Sequence, residues 1–166
     1  MLENNDKEML SGTVVAVCLS HRRGIPKSPQ ASVHLKEDLG IEGDAHAGPG
    51  ERQVSLLAAE SIGLMRAKGL ELSHGAFGEN IVTDGIDLAA LTPGDILRCG
   101  LAELEVTRIG KVCHSRCAIY YSAGDCIMPR EGVFARVTRG GELSPGQSIN
   151  VIRGAGRPAV QATGKD

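Results

Sequence analysis

The sequence predicts a mainly β fold, a β-rich α+β domain built as a barrel or a sandwich with one short helix. Three observations predict it. Short β-branched or alternating runs recur along the chain, each bounded by Gly, Pro or Asp-Gly turn signals. Twenty-two glycines in 166 residues supply many tight turns, more than a helix bundle uses. Only one stretch has helical spacing, and no repeat of fixed period is present.

The elements follow in order. Residues 1–10, MLENNDKEML, are a polar and acidic lead-in. TVVAVCLS (13–20) is apolar and β-branched, a buried strand; ASVHLKED (31–38) alternates weakly, a second; RQVSLLA (52–58) is a third. Ala59, Ile62, Met65 and Arg66 then fall at helical spacing over 58–70, with Gly69 as the stop. ENIVTDG ends in an Asp-Gly turn, and LTPGDILRCG places a Pro-Gly turn before a strand at 95–99. In AELEVTRIG (102–110), Leu104 and Val106 alternate with Glu103, Glu105 and Thr107, the pattern of a half-buried strand. GVFARVTRGG (132–141) fits a strand or a helical turn. SPGQSINVI (144–152) repeats the turn-then-strand pattern of 92–99. From 154 onward RGAGRPAVQATGKD is a flexible tail, so the domain is expected over 11–153.

Composition excludes several function classes. A net charge of −2 gives no strong pull toward nucleic acid or a membrane surface, and 2% aromatic residues cannot build a base-stacking platform. No apolar run reaches the length of a membrane span, and the N-terminus lacks a signal-peptide pattern, so a cytoplasmic protein is expected. In that compartment five cysteines do not form a disulfide frame, and an odd count suits free, ligating or reactive thiols.

Three of those cysteines, Cys113, Cys117 and Cys126, lie in GKVCHSRCAIYYSAGDCIMPREG (110–132) with His114, Lys111, Arg116 and Arg130. One irregular pair plus a third thiol is not the paired spacing of structural zinc, and adjacent Cys113 and His114 do not readily face one ion. Cys18 and Cys99 lie inside predicted strands and read as core. Cys126 follows Ala-Gly-Asp in a turn and precedes Arg130, a setting suited to a thiolate nucleophile or a soft-metal ligand. Two further segments stand out. GIEGDAHAGPG (40–50), with Asp44 and His46 among small residues, reads equally as a long hairpin connection and as an anion-binding nest. In HGAFGEN (74–80), Glu79 and Asn80 can bond buried backbone or a ligand. His21, His34 and His74 have no ligand-like spacing and read as surface or satisfied core residues.

Taken together, GIEGDAHAG, RQVSLLAAESI, GAFGENIV, LTPGDILRCGLAELEVTRIGKVCHSRC and GDCIMPREGVFARVTRGGELSPGQSI, in this order, resemble the MOSC family. That family is named for the C-terminal domain of eukaryotic molybdenum cofactor sulfurase, and the resemblance spans roughly residues 11 to 152. It implies a closed or partly open β-barrel of the pyruvate-kinase barrel type, around a cavity for molybdenum cofactor or a metal–sulfur species. The family's late, metal-ligating cysteine matches Cys126 by position; Cys113 and Cys117 fall where longer members have a nearby pair. The cofactor's phosphate and pterin call for cations and polar donors, for which Arg130, Lys111, Arg116, Arg108, His46, Asp44 and Asn80 are the candidates. The pyridoxal-phosphate half of the sulfurase has no counterpart in this sequence, so no site for that cofactor is expected.

Three functions compete at this point. The first is a module that carries sulfur or molybdenum cofactor on Cys126 for cofactor maturation or delivery, with cofactor-biosynthesis proteins or molybdoenzymes as partners. The second is a small molybdenum-dependent oxidoreductase that reduces N-hydroxylated compounds. The third is a structural zinc domain on Cys113, Cys117 and Cys126.

Overall fold

The computed structural model describes residues 11–69, 71–110 and 132–154. Its strands are β1 (Ser11–Leu19), β2 (Ser28–Gln30), β3 (Val33–Lys36), β4 (Gly40–Ile41), β5 (Val54–Ala58), β6 (Ile81–Asp84), β7 (Ile96–Cys99), β8 (Ala102–Ile109), β9 (Val133–Arg139), β10 (Gly141–Leu143) and β11 (Ser148–Ile152). The helix α1 spans Ala59–Arg66, and a short 3-10 turn covers Leu88–Ala90.

Seven of these strands close on themselves in the order β1, β11, β7, β8, β9, β5, β6 and back to β1. Every neighbouring pair in the ring is antiparallel except β5 and β6. That parallel pair needs a crossover, and α1 with the loop that follows provides it. β2 extends the far end of β1, and β3, β4 and β10 form a separate three-stranded sheet. Among the described residues the structure is thus the mainly β barrel with one α-helix that the sequence predicts, and 132–141, left open between strand and helical turn, is strand over Val133–Arg139.

Two apolar clusters form among the described residues. The larger is the barrel interior, with Val14, Val17, Leu56, Ile81, Leu97, Leu104, Val106, Val133 and Ile149; Val33, Leu35, Ile41 and Leu143 of the small sheet join it. The smaller lies between barrel and helix and holds Ala16, Cys18, Leu57, Ile62, Met65, Phe77, Val82 and Phe134. β1 serves both because its register slips between Val14 and Ala16, which turns Val14 and Val17 to one cluster and Ala16 and Cys18 to the other. β5 is buried at all five positions, since the barrel interior covers one face and α1 packs against the strand. α1 buries Ile62 and Met65, two of the residues at helical spacing, and Gly69 at φ 94 follows its last turn.

The two Pro-Gly corners are built alike. Gly94 and Gly146 adopt φ of 100 and 98, where a side chain is strained. In each, the residue after the glycine reaches back three positions: Asp95 Oδ2 accepts the Thr92 N–H at 2.9 Å, and Gln147 Oε1 accepts the Ser144 N–H at 2.9 Å. Three strands were not legible in the sequence. β2, β4 and β10 have three residues or fewer, too short for alternation to register.

Candidate functional site

The loop 42–53 joins two places where chemistry-bearing residues gather. Its first half lies against the end of β1. The Ala45 N–H donates to the Ser20 carbonyl at 2.7 Å, and the Ser20 N–H donates to Asp44 Oδ1 at 3.1 Å. Gly43 at φ 86 lets the chain turn into this contact, and its carbonyl lies 3.0 Å from His21 Nδ1. Asp44 is therefore fully enclosed, and an enclosed carboxylate needs a partner.

The partner is Lys27. Its Nζ lies 2.8 Å from Asp44 Oδ1, with side-chain exposures of 1% and 0% for the pair. The same ammonium lies 3.0 Å from His46 Nδ1, and the His46 N–H donates to Asp44 Oδ2 at 3.1 Å. Lys27, Asp44 and His46 thus form one hydrogen-bonded unit at the loop's start.

A second loop holds Lys27 in place. Its N–H donates to the Gly75 carbonyl at 2.9 Å, and a Cβ on Gly75 would come within 2.1 Å of the Lys27 carbonyl oxygen, so only glycine fits there. Gly75 is fixed in turn by Glu79, whose buried carboxylate accepts the Gly75 N–H at 2.7 Å and the Phe77 N–H at 3.0 Å. Burial pushes the Glu79 carboxyl above its ordinary range against those backbone donors. Next to it, Asn80 accepts the Ser55 N–H at 3.0 Å and donates to the Cys18 carbonyl at 3.0 Å, linking β5 to β1. Of the two options open for HGAFGEN, Glu79 and Asn80 bond backbone here.

The second half of the loop meets the β8–β9 pair. The Thr107 hydroxyl donates to the Glu51 carbonyl, Arg108 pairs with Glu51 at 3.7 Å, and the Arg52 guanidinium stands 5.5 Å from the centre of the Phe134 ring. There Ile109 pairs with Val133, and the Gly110 N–H donates to the Gly132 carbonyl at 2.6 Å. Gly110 and Gly132 thus lie together near the end of the 42–53 loop.

The predicted site residues divide accordingly. Asp44 and His46 come together, Arg108 lies at the other end of their loop, and Asn80 sits at the β5–β6–β1 junction. Cys113, Cys117, Cys126, Lys111, Arg116 and Arg130 lie outside the described residues. Lys27 was missed. In RRGIPKSPQ it reads as an exposed turn lysine, and a contact 17 residues away leaves no periodic trace.

The other thiols are structural. Cys18 and Cys99 are buried, and each is pushed up to about 12: Cys99 by burial alone, Cys18 by burial and then by Glu79, with Lys27 opposing. His74 is half-buried and held below its ordinary value by burial and Arg66, while His34 is exposed on β3. Among the described residues no group of three His, Cys, Asp or Glu side chains is placed to hold a metal. No helix among them is long and apolar enough to cross a membrane.

The family model of the MOSC domain matches residues 42–150. No curated protein is a significant match to the sequence. Among solved structures the chain is similar to the YUAD protein of Bacillus subtilis, with TM-score 0.72 and 16% identity over 86% of this chain and 96% of that one. It is similar to YiiM from Geobacillus stearothermophilus, with TM-score 0.65 and 21% identity over 87% and 77%. It is also similar to YiiM from Escherichia coli, with TM-score 0.59 and 21% identity over 86% and 70%. At these identities the likeness establishes the fold.

Proposed function

Because the chain belongs to the MOSC domain family, and so is a molybdenum-cofactor-related domain, we propose that it carries sulfur or the molybdenum cofactor on Cys126. The load serves cofactor maturation or delivery to a molybdoenzyme partner. The observation that carries this reading is the extent of the family match. It takes in both the 42–53 loop and the segment 111–131 with its three cysteines.

The donor set of the described residues suits such a group. A phosphate-bearing pterin is anionic, and Arg52 and Arg108 are cations at one end of the 42–53 loop, while His46 stands at the other beside the Lys27–Asp44 pair. Arg108 would hold the phosphate or pterin from its end of the loop and His46 from the other, while Lys27, enclosed with Asp44, positions His46. Lys111, Arg116 and Arg130, outside the described residues, are the further candidate cations. When bound, molybdenum supplies oxo and thiolate coordination chemistry, and the Cys126 thiolate is the soft donor this chain offers to it. Asp44 is a positioning residue: both its oxygens are taken by Lys27, Ser20 and His46.

The test is elemental and pterin analysis of the full chain purified from a host that makes the cofactor and from one that does not. Molybdenum with pterin near one per chain, or persulfide sulfur on Cys126, supports the reading. Stoichiometric zinc in both preparations, with neither pterin nor persulfide, would replace it with the structural zinc alternative.

A further inference from the structure

We propose that the exposed turn 21–26, HRRGIP, is a docking point for an acidic segment of a partner protein. Arg22 and Arg23 pair with its carboxylates, and an apolar residue beside them covers Ile25. The proposal stands whatever Cys126 carries.

The turn is built to be presented. Residues 21–26 are all exposed, between Ser20 and Lys27, which are buried. One carboxylate oxygen fixes both ends: Asp44 Oδ1 accepts the Ser20 N–H at 3.1 Å and pairs with Lys27 Nζ at 2.8 Å. The Ser20 hydroxyl donates to the Arg22 carbonyl at 3.0 Å. His21 Nδ1–H donates to the Gly43 carbonyl at 3.0 Å, since a carbonyl only accepts. Gly24 turns the chain at φ 84, and a Cβ there would meet nothing within 4 Å, so the tip stands in open space. A turn fixed at its base has less conformational freedom to lose when a partner binds.

Its charge is unpaired. On the barrel wall Arg98, Arg108 and Arg136 pair with Glu103, Glu51 and Glu105. Among the described residues neither the Arg22 nor the Arg23 guanidinium has an ion pair or a hydrogen bond. The turn holds no acidic residue, in a chain whose net charge is −2. Ile25, two residues on, is 43% exposed. Guanidinium groups beside an exposed aliphatic side chain complement carboxylates set beside an apolar residue. Other anionic partners fit less well. Nucleic acid is held by neutralising many phosphates, and the next cation along the chain, Lys27, is already enclosed with Asp44. Two arginines and one isoleucine anchor too little to hold a bilayer surface. A small free anion wants donors that converge, and neighbouring side chains on an open turn diverge.

The test selects binders from a library of random peptides displayed on phage, once against the full chain and once against its Arg22→Ser/Arg23→Ser double variant. The expected result is enrichment of peptides rich in Asp and Glu with an apolar residue among them, and loss of that enrichment with the double variant. A synthetic copy of an enriched peptide should bind the double variant about tenfold or more weakly, and its affinity for the parent should fall as salt rises. Ile25→Ser should weaken binding and leave the salt dependence unchanged, a split that general damage to the turn does not produce. Arg98→Ser, which removes an arginine already paired with Glu103, should bind like the parent. Enriched peptides without an acidic bias, or equal enrichment by the double variant, overturn the proposal. So does full displacement of the peptide at constant ionic strength by inorganic phosphate, by a single-stranded oligonucleotide or by vesicles of anionic lipid, which would make the turn a small-anion, nucleic-acid or membrane site instead.

Discussion

Replacing Lys27 with Met removes the positive partner of a carboxylate that has no exposure to water. The ammonium sits 2.8 Å from Asp44 Oδ1, and the pair's side-chain exposures are 1% and 0%. Asp44 keeps the Ser20 and His46 backbone donors, so its lone pairs are not wholly orphaned, but its charge is. Breaking one side of such a pair costs about 3–5 kcal/mol. For a chain of this size, about 2–4 °C is lost per kcal/mol, so Lys27→Met should melt about 6–20 °C lower in a reversible thermal scan. Adding Asp44→Asn to that variant removes the stranded charge and keeps an oxygen for the Ser20 N–H. The double variant should recover about 1–2 kcal/mol. Lys36→Met is the control, because Lys36 and Glu42 are 59% and 49% exposed at 3.5 Å and should be worth under about 1 kcal/mol. A Lys27→Met loss no larger than the Lys36→Met loss would refute the claim that the ion pair is enclosed and structural.

Two more predictions concern the frame. With Cys18 and Cys99 pushed up to about 12 from an ordinary 9.0, both thiols stay protonated in the fold while the unfolded chain ionises. Stability from these groups is whole below about pH 9 and falls above it, by about 1.4 kcal/mol per pH unit for each thiol. Urea melts from pH 8 to 10.5 should show a shallower decline in Cys99→Ala than in the parent; parallel curves would count against the buried-thiol account. Asn80→Ala leaves the buried Ser55 N–H and Cys18 carbonyl short of partners and should cost about 2–4 kcal/mol in denaturant unfolding, where a loss under about 1 kcal/mol would contradict its role as the β5–β1 link.

The barrel was legible because its strands announce themselves locally. β1, β5 and β8 carry β-branched or alternating runs long enough to register, and the Pro-Gly corners at 93–94 and 145–146 mark where β7 and β11 begin. Ring closure was not legible from periodicity, since pairing of Ser11–Thr13 with Ser148–Asn150 joins the two ends of the domain. The family resemblance implied a closed or partly open barrel, and the β1–β11 pairing makes it closed. The site was half legible. Asp44 and His46 stood out as the charged and titratable residues in a glycine-rich loop. Lys27 did not, because its environment is made by Gly75 and Asp44, remote in sequence and brought close only by the fold. Glu79 and Asn80 stood out in HGAFGEN with a backbone or a ligand role open to them, and their side chains bond backbone groups of Gly75, Phe77, Ser55 and Cys18.

The measurement that bears most directly on the carrier reading compares the load of three single variants purified from a cofactor-producing host: Cys126→Ser, Cys113→Ser and Cys117→Ser. Serine keeps the side-chain size but offers no soft thiolate near neutral pH. Molybdenum, pterin and sulfane sulfur per folded chain are determined for each, with circular dichroism as the check on folding. The account predicts that Cys126→Ser folds and loses its load, while the Cys113 and Cys117 variants retain at least part of theirs. A Cys126→Ser chain that keeps its full load while either of the other two loses it would contradict the account and move the functional thiol to the earlier pair.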